Sequence, residues 1–372
     1  MSVDFTGYLE RNGEWLRGDG PASGIVISCR VRLARNLAGE RFPGHADHNA
    51  RLRVAETVRA TLADAPTGLR LMWCPLDKLP PVDRHFLVER HLISRELAND
   101  EGPRALAFDP EETMAAMVNE EDHLRLQSIR SGFSLMETFQ AVNRLDDELA
   151  ERLDYAFDER YGYLTACPSN VGTGLRASVM VHLPALVMTK HMKMAFQAVH
   201  DLRLTVRGLY GEGTEAYGEL YQISNQIACG RAEEEIVEDL QSMVEGLLRY
   251  EDEAREQLRG HERGKLEDRI WRSYAALKHA RLMSSEEAMK HLSSLRLGIA
   301  MGLVPRPELP ALNRLFLFSQ PAHLQRMAGR ELAQEERDEA RARYSPALDS
   351  RLQGEFLWLD FFGEDLRQIV NR

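Results

Sequence analysis

The sequence predicts an α+β protein: a short N-terminal segment (1–20), a unit of mixed strands and helices (21–250) and a smaller all-α unit (251–372). Three observations lead to this prediction. The 372 residues suggest two domains at about 150 residues each. Strand-like and helix-like segments alternate through the first two thirds of the chain. After about residue 230, β-branched residues are scarce and charge pairs at i,i+4 recur, which indicates helices.

The predicted elements begin with a strand that starts near Gly24, where β-branched residues alternate with other residues. A helix is predicted at 49–64 from the spacing of its apolar residues, followed by a short strand at 69–74 and a second helix near 83–92. Residues 114–129 predict two strands separated by a charged connection.

Further along the chain, helices are predicted over about 134–159, and strand-like segments recur at 162–167 and 202–209. Residues 182–201 lie between these strands and predict one helix. Pro184 falls in its first turns, where proline is tolerated because the N–H that it lacks has no partner within the helix.

Composition and charge limit the classes of function. Apolar residues make up 44% of the chain and charged residues 28%, the balance of an ordinary soluble globular protein. The net charge is 47 − 58 = −11, so we expect no direct nucleic-acid or membrane partner. The N-terminus resembles no signal peptide, and no run approaches the ~18 apolar residues of a membrane helix, which favours a cytoplasmic protein. The four cysteines form no CxxC pair, so we expect free thiols and no structural zinc site.

Four segments place arginines and acids in strands and glycine-rich loops rather than on helix faces. They are SCRVR (28–32), NEEDHLR (119–125), TACPSNVGTGLRAS (165–178) and VRGLYGEGTE (206–215). In the first, Arg30 and Arg32 share one face of a strand, and two adjacent guanidinium groups need an anion between them, for which phosphate is suited. Each segment also has a plain alternative: surface arginines, a solvated turn or a glycine turn without a ligand.

The glycines of the third segment point to an anion as well. Gly172 and Gly174 leave backbone N–H groups free to approach it, and Arg176 adds a fixed charge. The pattern is neither a Walker P-loop nor GxGxxG. Three glycines within 208–213 indicate a mobile loop able to fold over a ligand, or a plain hairpin. Together the four segments suit phosphoryl transfer from a polyphosphate to a cation.

In this order, the four segments closely resemble the catalytic domain of phosphagen kinases, the ATP:guanidino phosphotransferases that include creatine and arginine kinases. The most specific matches are NEEDHLR and the CPSN…GTGLRAS run. The resemblance implies a mostly antiparallel sheet flanked by helices. Three further segments, RGLYGEGTE (207–215), YQISNQ (221–226) and ERHLIS (89–94), resemble the bacterial protein arginine kinases within this family. That resemblance covers nearly the whole chain, less firmly after about residue 345.

The resemblance implies an enzyme that transfers phosphate to a guanidinium nitrogen. A guanidinium is a cation without a free lone pair at neutral pH, so a base must remove one proton. By resemblance, Glu121 and Glu212 grip the guanidinium, and Glu121 is the general base. Cys167 matches the family's reactive cysteine, and its arginine-rich surroundings favour a thiolate that could contact the substrate.

An ATP site follows from the same resemblance, with Mg²⁺ held mainly by phosphate oxygens and water, so that no protein metal ligand is predicted. The arginines that match the phosphate clamp are Arg30, Arg32, Arg125, Arg176 and Arg207. His91 matches the histidine that contacts the nucleotide. The same motifs add Ser28, Cys29, Val31, Ala177, Ser178, Gly208 and Gly211 to the expected ATP site.

One motif near the C-terminus, RDEARA at 337–342, fits the RDxxRA pattern of the phosphoarginine-binding regulatory pocket of protein arginine kinases. On a helix, Arg337 and Arg341 share a face and could clamp a phosphate while Asp338 takes a guanidinium. Ala342 completes the motif. Spacing alone favours a charged surface helix.

The resemblance therefore implies a protein arginine kinase. Only about twenty residues precede the first strand, so we expect the N-terminal helical domain of small-substrate phosphagen kinases to be absent, leaving an open site that suits an arginine on a polypeptide. The alternatives are a small-guanidino phosphagen kinase and a non-catalytic phosphoarginine-binding regulator. The expected partners are protein substrates such as a heat-shock repressor, an activator protein, a Clp-type protease system and a second copy of the chain.

Overall fold

The computed structural model describes residues 5–9, 11–64, 70–208, 216–305 and 307–344. The strands in these ranges are β1 (Val26–Arg35), β2 (Met72–Pro75), β3 (Ala105–Phe108), β4 (Met114–Val118), β5 (Leu124–Ser131), β6 (Phe157–Asp158), β7 (Gly162–Tyr163), β8 (Leu175–His182), β9 (Leu204–Gly208) and β10 (Leu220–Asn225). Eight of them form one antiparallel sheet in the order β2-β3-β4-β5-β1-β8-β10-β9, and β6 pairs with β7.

Helices cover much of this sheet and make up the C-terminal part of the described chain. They are α1 (His48–Ala63), α2 (Pro81–Glu89), α3 (Arg95–Asn99), α4 (Leu135–Ala150), α5 (Pro184–Met188), α6 (Met192–Asp201), α7 (Glu233–His261), α8 (Arg263–His279), α9 (Ser285–Ala300), α10 (Leu309–Phe318), α11 (Pro321–Ala328) and α12 (Gln334–Tyr344). The predicted α+β class, with a mostly antiparallel sheet and a helical C-terminal part, is confirmed. No helix among these is both long enough and apolar enough to cross a bilayer.

The central strand β1 separates the two faces of the sheet. Its residues alternate, so Cys29, Val31 and Leu33 are fully buried on one face, where α4 packs against the strand. Arg30 and Arg32 point to the opposite face and are only partly buried. One face of β1 therefore belongs to the apolar core, and the other carries charge.

The arginine-bearing face is covered over only part of its width. At the β2–β4 edge, α2 and the N-terminal segment pack onto a second apolar core that includes Phe86 of α2, Phe108 of β3 and Met117 of β4. Over β1, β8 and β10, the same face borders a large cavity. The sheet therefore presents its arginines in a recess beside a helical wall.

Most of the predicted elements occur close to their predicted bounds, but two predictions were wrong. Residues 182–201 form two helices, α5 and α6, because Lys190 adopts a left-handed φ of 63° and interrupts the helical backbone. The helical prediction for 134–159 ends early, since α4 stops at Ala150 and the chain then enters β6.

Three further differences concern strands and domain bounds. The strand expected at 162–167 is only the two-residue β7. The sequence did not predict β3, β6, β8 or β10 as strands. The boundary expected after residue 250 lies inside α7, which continues to His261.

Candidate active site

A cavity of about 1000 Å³ opens on the arginine-bearing face of the sheet. Its lining includes the five arginines that match the phosphate clamp, together with Glu121 and Cys167. The arginines are Arg30, Arg32, Arg125, Arg176 and Arg207. Although these residues are spread over more than 170 positions of the sequence, the sheet brings them to one recess.

The strand register orders the arginines along the recess. Arg125 of β5 lies opposite Ala34 at one end of β1. Arg32 lies opposite Arg176 of β8, one step along the same face. Arg30 follows two residues further on. Because Glu121 and Cys167 lie near the Arg125 end, the acidic groups and the thiol occupy one end of the row of arginines.

Crowding raises the cost of keeping these guanidinium groups charged. Burial, and then the nearby charges of Arg125 and Arg176, lower the pKa of Arg30 to about 10. Burial and neighbouring arginines also hold the pKa of Arg32 well below its ordinary value and lower the pKa of Arg176. The buried Nε atoms of Arg32 and Arg176 have no hydrogen-bond partner within the described chain. A polyanion in the recess would supply the missing negative charge and acceptors.

Glu121 lies on the rim beside Arg125. Its carboxylate accepts a hydrogen bond from Nη2 of Arg125 at 3.2 Å, and its side chain is 45% exposed. Partial burial raises the pKa of Glu121 above the ordinary value, although the charge of Arg125 opposes this shift. Glu121 is therefore a solvent-accessible carboxylate with raised proton affinity, directly beside the row of arginines.

Glu120 holds Arg125 from the other side. Its buried carboxylate lies 2.6 Å from Nη1 of Arg125 and also accepts a hydrogen bond from the hydroxyl of Ser94. Ser94 caps the N-terminus of α3 by accepting from the N–H of Leu97. The arginine nearest to Glu121 is thereby anchored to the helical wall of the cavity.

Asp122 and His123 of NEEDHLR hold this loop in place through hydrogen bonds to neighbouring segments. The buried carboxylate of Asp122 accepts hydrogen bonds from Nδ2 of Asn36 and from the N–H of Ala166, both at 2.7 Å. The Nδ1 atom of His123 accepts from the N–H of Leu37, and its Nε2 atom donates to a neighbouring backbone carbonyl. Asp122 thus joins the loop that carries Glu121 to the residue that precedes Cys167.

Cys167 directly precedes the short turn Pro168–Asn170 and lines the cavity. Its Sγ atom lies 3.0 Å from the hydroxyl of Ser169, and the thiol is partly exposed. The turn leads to Gly174, whose φ is 67° and where a side chain would meet the carbonyl oxygen of Ala34 at 2.5 Å. Only glycine fits there, which fixes the approach of this loop to β1.

His91 lies beyond Arg30, at the other end of the row. Its backbone is left-handed, with φ of 61°, and its ring stacks on Trp15 with the ring centroids 4.1 Å apart. Burial, followed by the charges of Arg30 and Arg32, lowers the pKa of His91 to about 3, so the imidazole is neutral. His91 shares a small cavity with Arg30 and Gln222, both of which also line the main cavity.

Three residues of the expected ATP site turn their side chains away from the cavity, so only their backbone could contact a nucleotide. The side chains of Cys29, Val31 and Ala177 are fully buried in the apolar core, because strand alternation turns them away from the arginine-bearing face. Burial also raises the pKa of the Cys29 thiol to about 12. These side chains pack the sheet; only their backbone is near the cavity.

The remaining expected residues fall into two groups. Ser28 and Ser178 line the small cavity with His91, and Gly208 ends β9 beside Arg207. Gly211 and Glu212 lie outside the described residues.

The RDxxRA motif lies on α12. Asp338 accepts a hydrogen bond from the buried Arg341 at 2.8 Å, and Arg341 also donates to the carbonyls of Ser319 and Met283. Arg337 instead donates to the carbonyl of Leu332 and to Gln334. The two guanidinium groups therefore bond to different neighbours among the described residues, and Ala342 is buried in the core. The regulatory pocket stays a prediction.

Sequence reasoning missed two polar residues of the cavity on β10. Gln222 accepts a hydrogen bond from Arg30, and Ser224 accepts one from Arg176, both at 3.4 Å. Their spacing of two residues within an apolar stretch is the signal that could have identified a strand with one polar face. Glu120 was missed as well, because three consecutive acids do not reveal which of them is buried. Ser94 was missed because its contact with Glu120 joins two distant segments.

Comparison with known proteins identifies the family. Residues 53–254 match the family described as ATP:guanido phosphotransferase, C-terminal catalytic domain, and residues 263–353 match the family described as Protein-arginine kinase McsB C-terminal domain. The chain therefore belongs to the ATP:guanido phosphotransferase family.

Within that family, relatives that match most of this chain are named protein-arginine kinases. The protein-arginine kinase of Pelotomaculum thermopropionicum is 47% identical over 89% of this chain and 94% of its own length. The protein-arginine kinase of Moorella thermoacetica is 48% identical over 90% of this chain and 96% of its own length.

Solved structures of other family members share the fold. A duplicated taurocyamine kinase from Schistosoma mansoni with bound transition-state analogue components has a TM-score of 0.57 and 28% identity over 63% of this chain, which spans only 34% of that longer protein. A lombricine kinase has a TM-score of 0.56 and 30% identity, covering 68% of this chain and 71% of its own.

Proposed function

We propose that this protein is an ATP-dependent kinase that phosphorylates arginine side chains of other proteins on a guanidinium nitrogen. The observation that carries the proposal is that one cavity is lined by all five arginines of the expected phosphate clamp together with Glu121 and Cys167. Membership in the ATP:guanido phosphotransferase family supplies the reaction class. The match to protein-arginine kinases over nearly their whole length supplies the acceptor.

The arginines account for the nucleotide half of the reaction. Arg32, Arg125 and Arg176 lie nearest to Glu121, so we assign them to the γ-phosphate and its neighbour, with Arg30 towards the rest of the nucleotide. Their crowded charges gain most when a polyphosphate enters, and fixed donors stabilise the charge that moves to the leaving oxygen during transfer.

Glu121 accounts for the acceptor half. One guanidinium nitrogen of the substrate arginine gives its proton to the Glu121 carboxylate, and the freed lone pair forms the N–P bond while the bond from the γ-phosphorus to the ADP oxygen breaks. The raised pKa of Glu121 makes it a better proton acceptor than an ordinary glutamate. Cys167 lines the same cavity, and we assign it to a contact with the same guanidinium.

Mg²⁺ is expected to enter with the nucleotide. Arg125 already engages the carboxylates of Glu120 and Glu121, so these acids offer few free oxygens, and a cation held by phosphate oxygens and water suits this donor set. When bound, the ion would neutralise part of the phosphate charge.

The acceptor side of the cavity suits a large cationic substrate. Exposed Glu96 and the partly exposed Asp100, which pairs with Arg51 at 2.9 Å, are among the residues that line the cavity. The exposed carboxylate of Glu96 favours a basic polypeptide over an anionic one. We further propose that the protein acts in the cytoplasm as a homodimer and responds to an activator protein. Its phosphoarginine mark would direct substrates to a Clp-type protease or regulate a stress repressor.

The direct test is product analysis. The protein would be incubated with Mg-ATP and either an arginine-rich protein or free arginine, and the products analysed by mass spectrometry without acid, since the P–N bond is acid-labile. We expect phosphoarginine on the protein and none with the Glu121→Ala variant as control. A strong preference for free arginine would indicate a small-guanidino kinase, and ATP binding without either product would indicate a non-catalytic regulator.

A further inference from the structure

We infer that Trp15 is a positioning residue for nucleotide binding, which acts by holding the imidazole of His91 in place. This inference rests on the proposed function, because it takes His91 as a nucleotide contact. Trp15 precedes the matched catalytic region at 53–254 and was not among the site residues expected from the sequence. It belongs to the N-terminal segment rather than to the sheet.

The first observation is the stack itself. The indole of Trp15 is 3% exposed, and its plane lies 26° from the plane of the His91 ring, at a centroid distance of 4.1 Å. The His91 ring therefore has an aromatic wall on one side and the charges of Arg30 and Arg32 nearby. An imidazole in such a slot keeps one orientation, because rotating it would open a gap against the indole.

The second observation concerns the backbone of His91. A left-handed conformation is costly for a residue other than glycine, and persists only where the surroundings enforce it. The carbonyl of His91 accepts a hydrogen bond from Gln127 at 2.8 Å. Its neighbour Arg90 donates to the carbonyls of Tyr8 and Arg11 in the N-terminal segment. The N-terminal segment therefore constrains His91 in two ways: its carbonyls bind the neighbouring Arg90, and its Trp15 stacks on the His91 ring.

The third observation is that the segment around Trp15 is itself fixed. The carbonyl of Leu16 accepts a hydrogen bond from Nδ2 of Asn313 on α10 at 3.1 Å. The N–H of Gly18 donates to the hydroxyl of Ser131, at the end of β5, at 2.8 Å. The indole is therefore held between the sheet and the C-terminal helices, which makes it a rigid support.

The experiment measures ATP affinity by calorimetry without an acceptor, so that its result does not depend on the identity of the phosphorylated product. Trp15→Met keeps much of the volume but removes the ring, and Trp15→Phe restores an aromatic wall. We expect Trp15→Met to weaken ATP binding about 3- to 10-fold, the range of one aromatic pair, and Trp15→Phe to recover most of it. At saturating ATP, the kcat of both variants should stay close to that of the wild type.

Two comparisons separate positioning from general stability. Phe139→Leu truncates an equally buried ring on α4 behind the sheet, and should lower the melting temperature without changing ATP affinity. In a His91→Gln background, Trp15→Met should cause no further loss of ATP affinity, because the ring that it supports is gone. Unchanged ATP affinity in Trp15→Met, or an equal loss in the His91→Gln background, would overturn the inference.

If Trp15→Met does not fold, Asn313→Ala provides the same comparison. This change leaves the indole in the chain but removes two hydrogen bonds of Asn313, the one to the carbonyl of Leu16 and the one from the buried Arg296. We expect weaker ATP binding than in the wild type, and again no further loss in the His91→Gln background. Wild-type affinity in a folded Asn313→Ala protein would argue against a supporting role of the segment.

Discussion

Glu121 and Arg125 form an ion pair across 3.2 Å at the rim of the cavity, so the proposed base touches the first arginine of the phosphate row. The acceptor nitrogen must therefore reach its base within a few ångströms of the phosphate-binding groups. This proximity suits in-line transfer, in which positioning does most of the work.

Replacing Glu121 by glutamine should abolish most turnover while leaving ATP binding nearly intact. The amide keeps the size of the side chain but cannot accept the proton, so we expect kcat to fall about 10²- to 10⁴-fold. Glu120→Gln is the matched control, and should mainly raise the KM for ATP, because it loosens Arg125. Wild-type turnover in Glu121→Gln would show that another group is the base.

The pH dependence of catalysis should also depend on Glu121. Burial raises the pKa of Glu121, and only its ionised form accepts a proton, so kcat/KM should rise as pH increases through that pKa and then level off. Initial rates measured from acidic to neutral pH test this expectation. The acidic limb should disappear from the residual activity of Glu121→Gln; a limb that persists unchanged in the variant would belong to a different group.

Arg32→Lys should weaken nucleotide binding although it conserves the charge. Lysine presents one compact ammonium group instead of a planar fork, and cannot bridge phosphate oxygens in the same way. We expect the KM for ATP to rise about 10-fold or more, measured by steady-state kinetics. Arg53→Lys, at an exposed position on α1 that pairs with Glu40, should leave this KM unchanged. If the two variants had the same KM for ATP, Arg32 would not be one of the phosphate-binding arginines.

Asp122→Ala should lower stability and activity together. The change leaves the N–H of Ala166 and the side-chain amide of Asn36 without their buried acceptor, a loss of about 1–3 kcal/mol in the free energy of unfolding. Urea unfolding measures this loss. Asp201→Ala, at an exposed position, is the control and should change stability by less than about 0.5 kcal/mol. Similar stability of the two variants would contradict the proposal that the hydrogen bonds of Asp122 stabilise the fold.

Glu89 should make the protein less stable as pH rises through the neutral range. Its buried carboxylate accepts hydrogen bonds from the N–H groups of Ala322 and His323, and burial raises its pKa to about 8. The folded protein therefore holds a proton that the unfolded chain releases near its ordinary pKa of about 4.3, so the free energy of unfolding falls between these values.

The glutamine variant of Glu89 tests this linkage. Glu89→Gln mimics the protonated acid and should reduce the loss of stability that the wild type shows in urea unfolding between pH 6 and pH 8.5. If the free energy of unfolding fell equally with pH in both proteins, groups other than Glu89 would cause the loss of stability.

Strand alternation made part of the site predictable from the sequence. The two-residue spacing of Arg30 and Arg32 predicted a charged strand face, and the structure places both on the open side of β1. The same rule, applied one residue away, shows why Cys29 and Val31 point into the core. These features depend only on local periodicity, which a sequence displays directly.

Contacts between distant segments were not predictable from the residues alone. Nothing near Trp15 in the sequence indicates His91, and nothing near Glu120 indicates that Ser94 and Arg125 will meet around it. The break at Lys190 escaped detection because lysine favours helices and its left-handed backbone depends on tertiary packing.

The order of the strands has a consequence for biosynthesis. β1 is made early, but its neighbour β8 begins only at Leu175, and Gln222 and Ser224 arrive with β10. A nascent chain that has not yet released β10 from the ribosome lacks a wall of the nucleotide recess, so the growing polypeptide should stay catalytically silent until more than half of it has emerged.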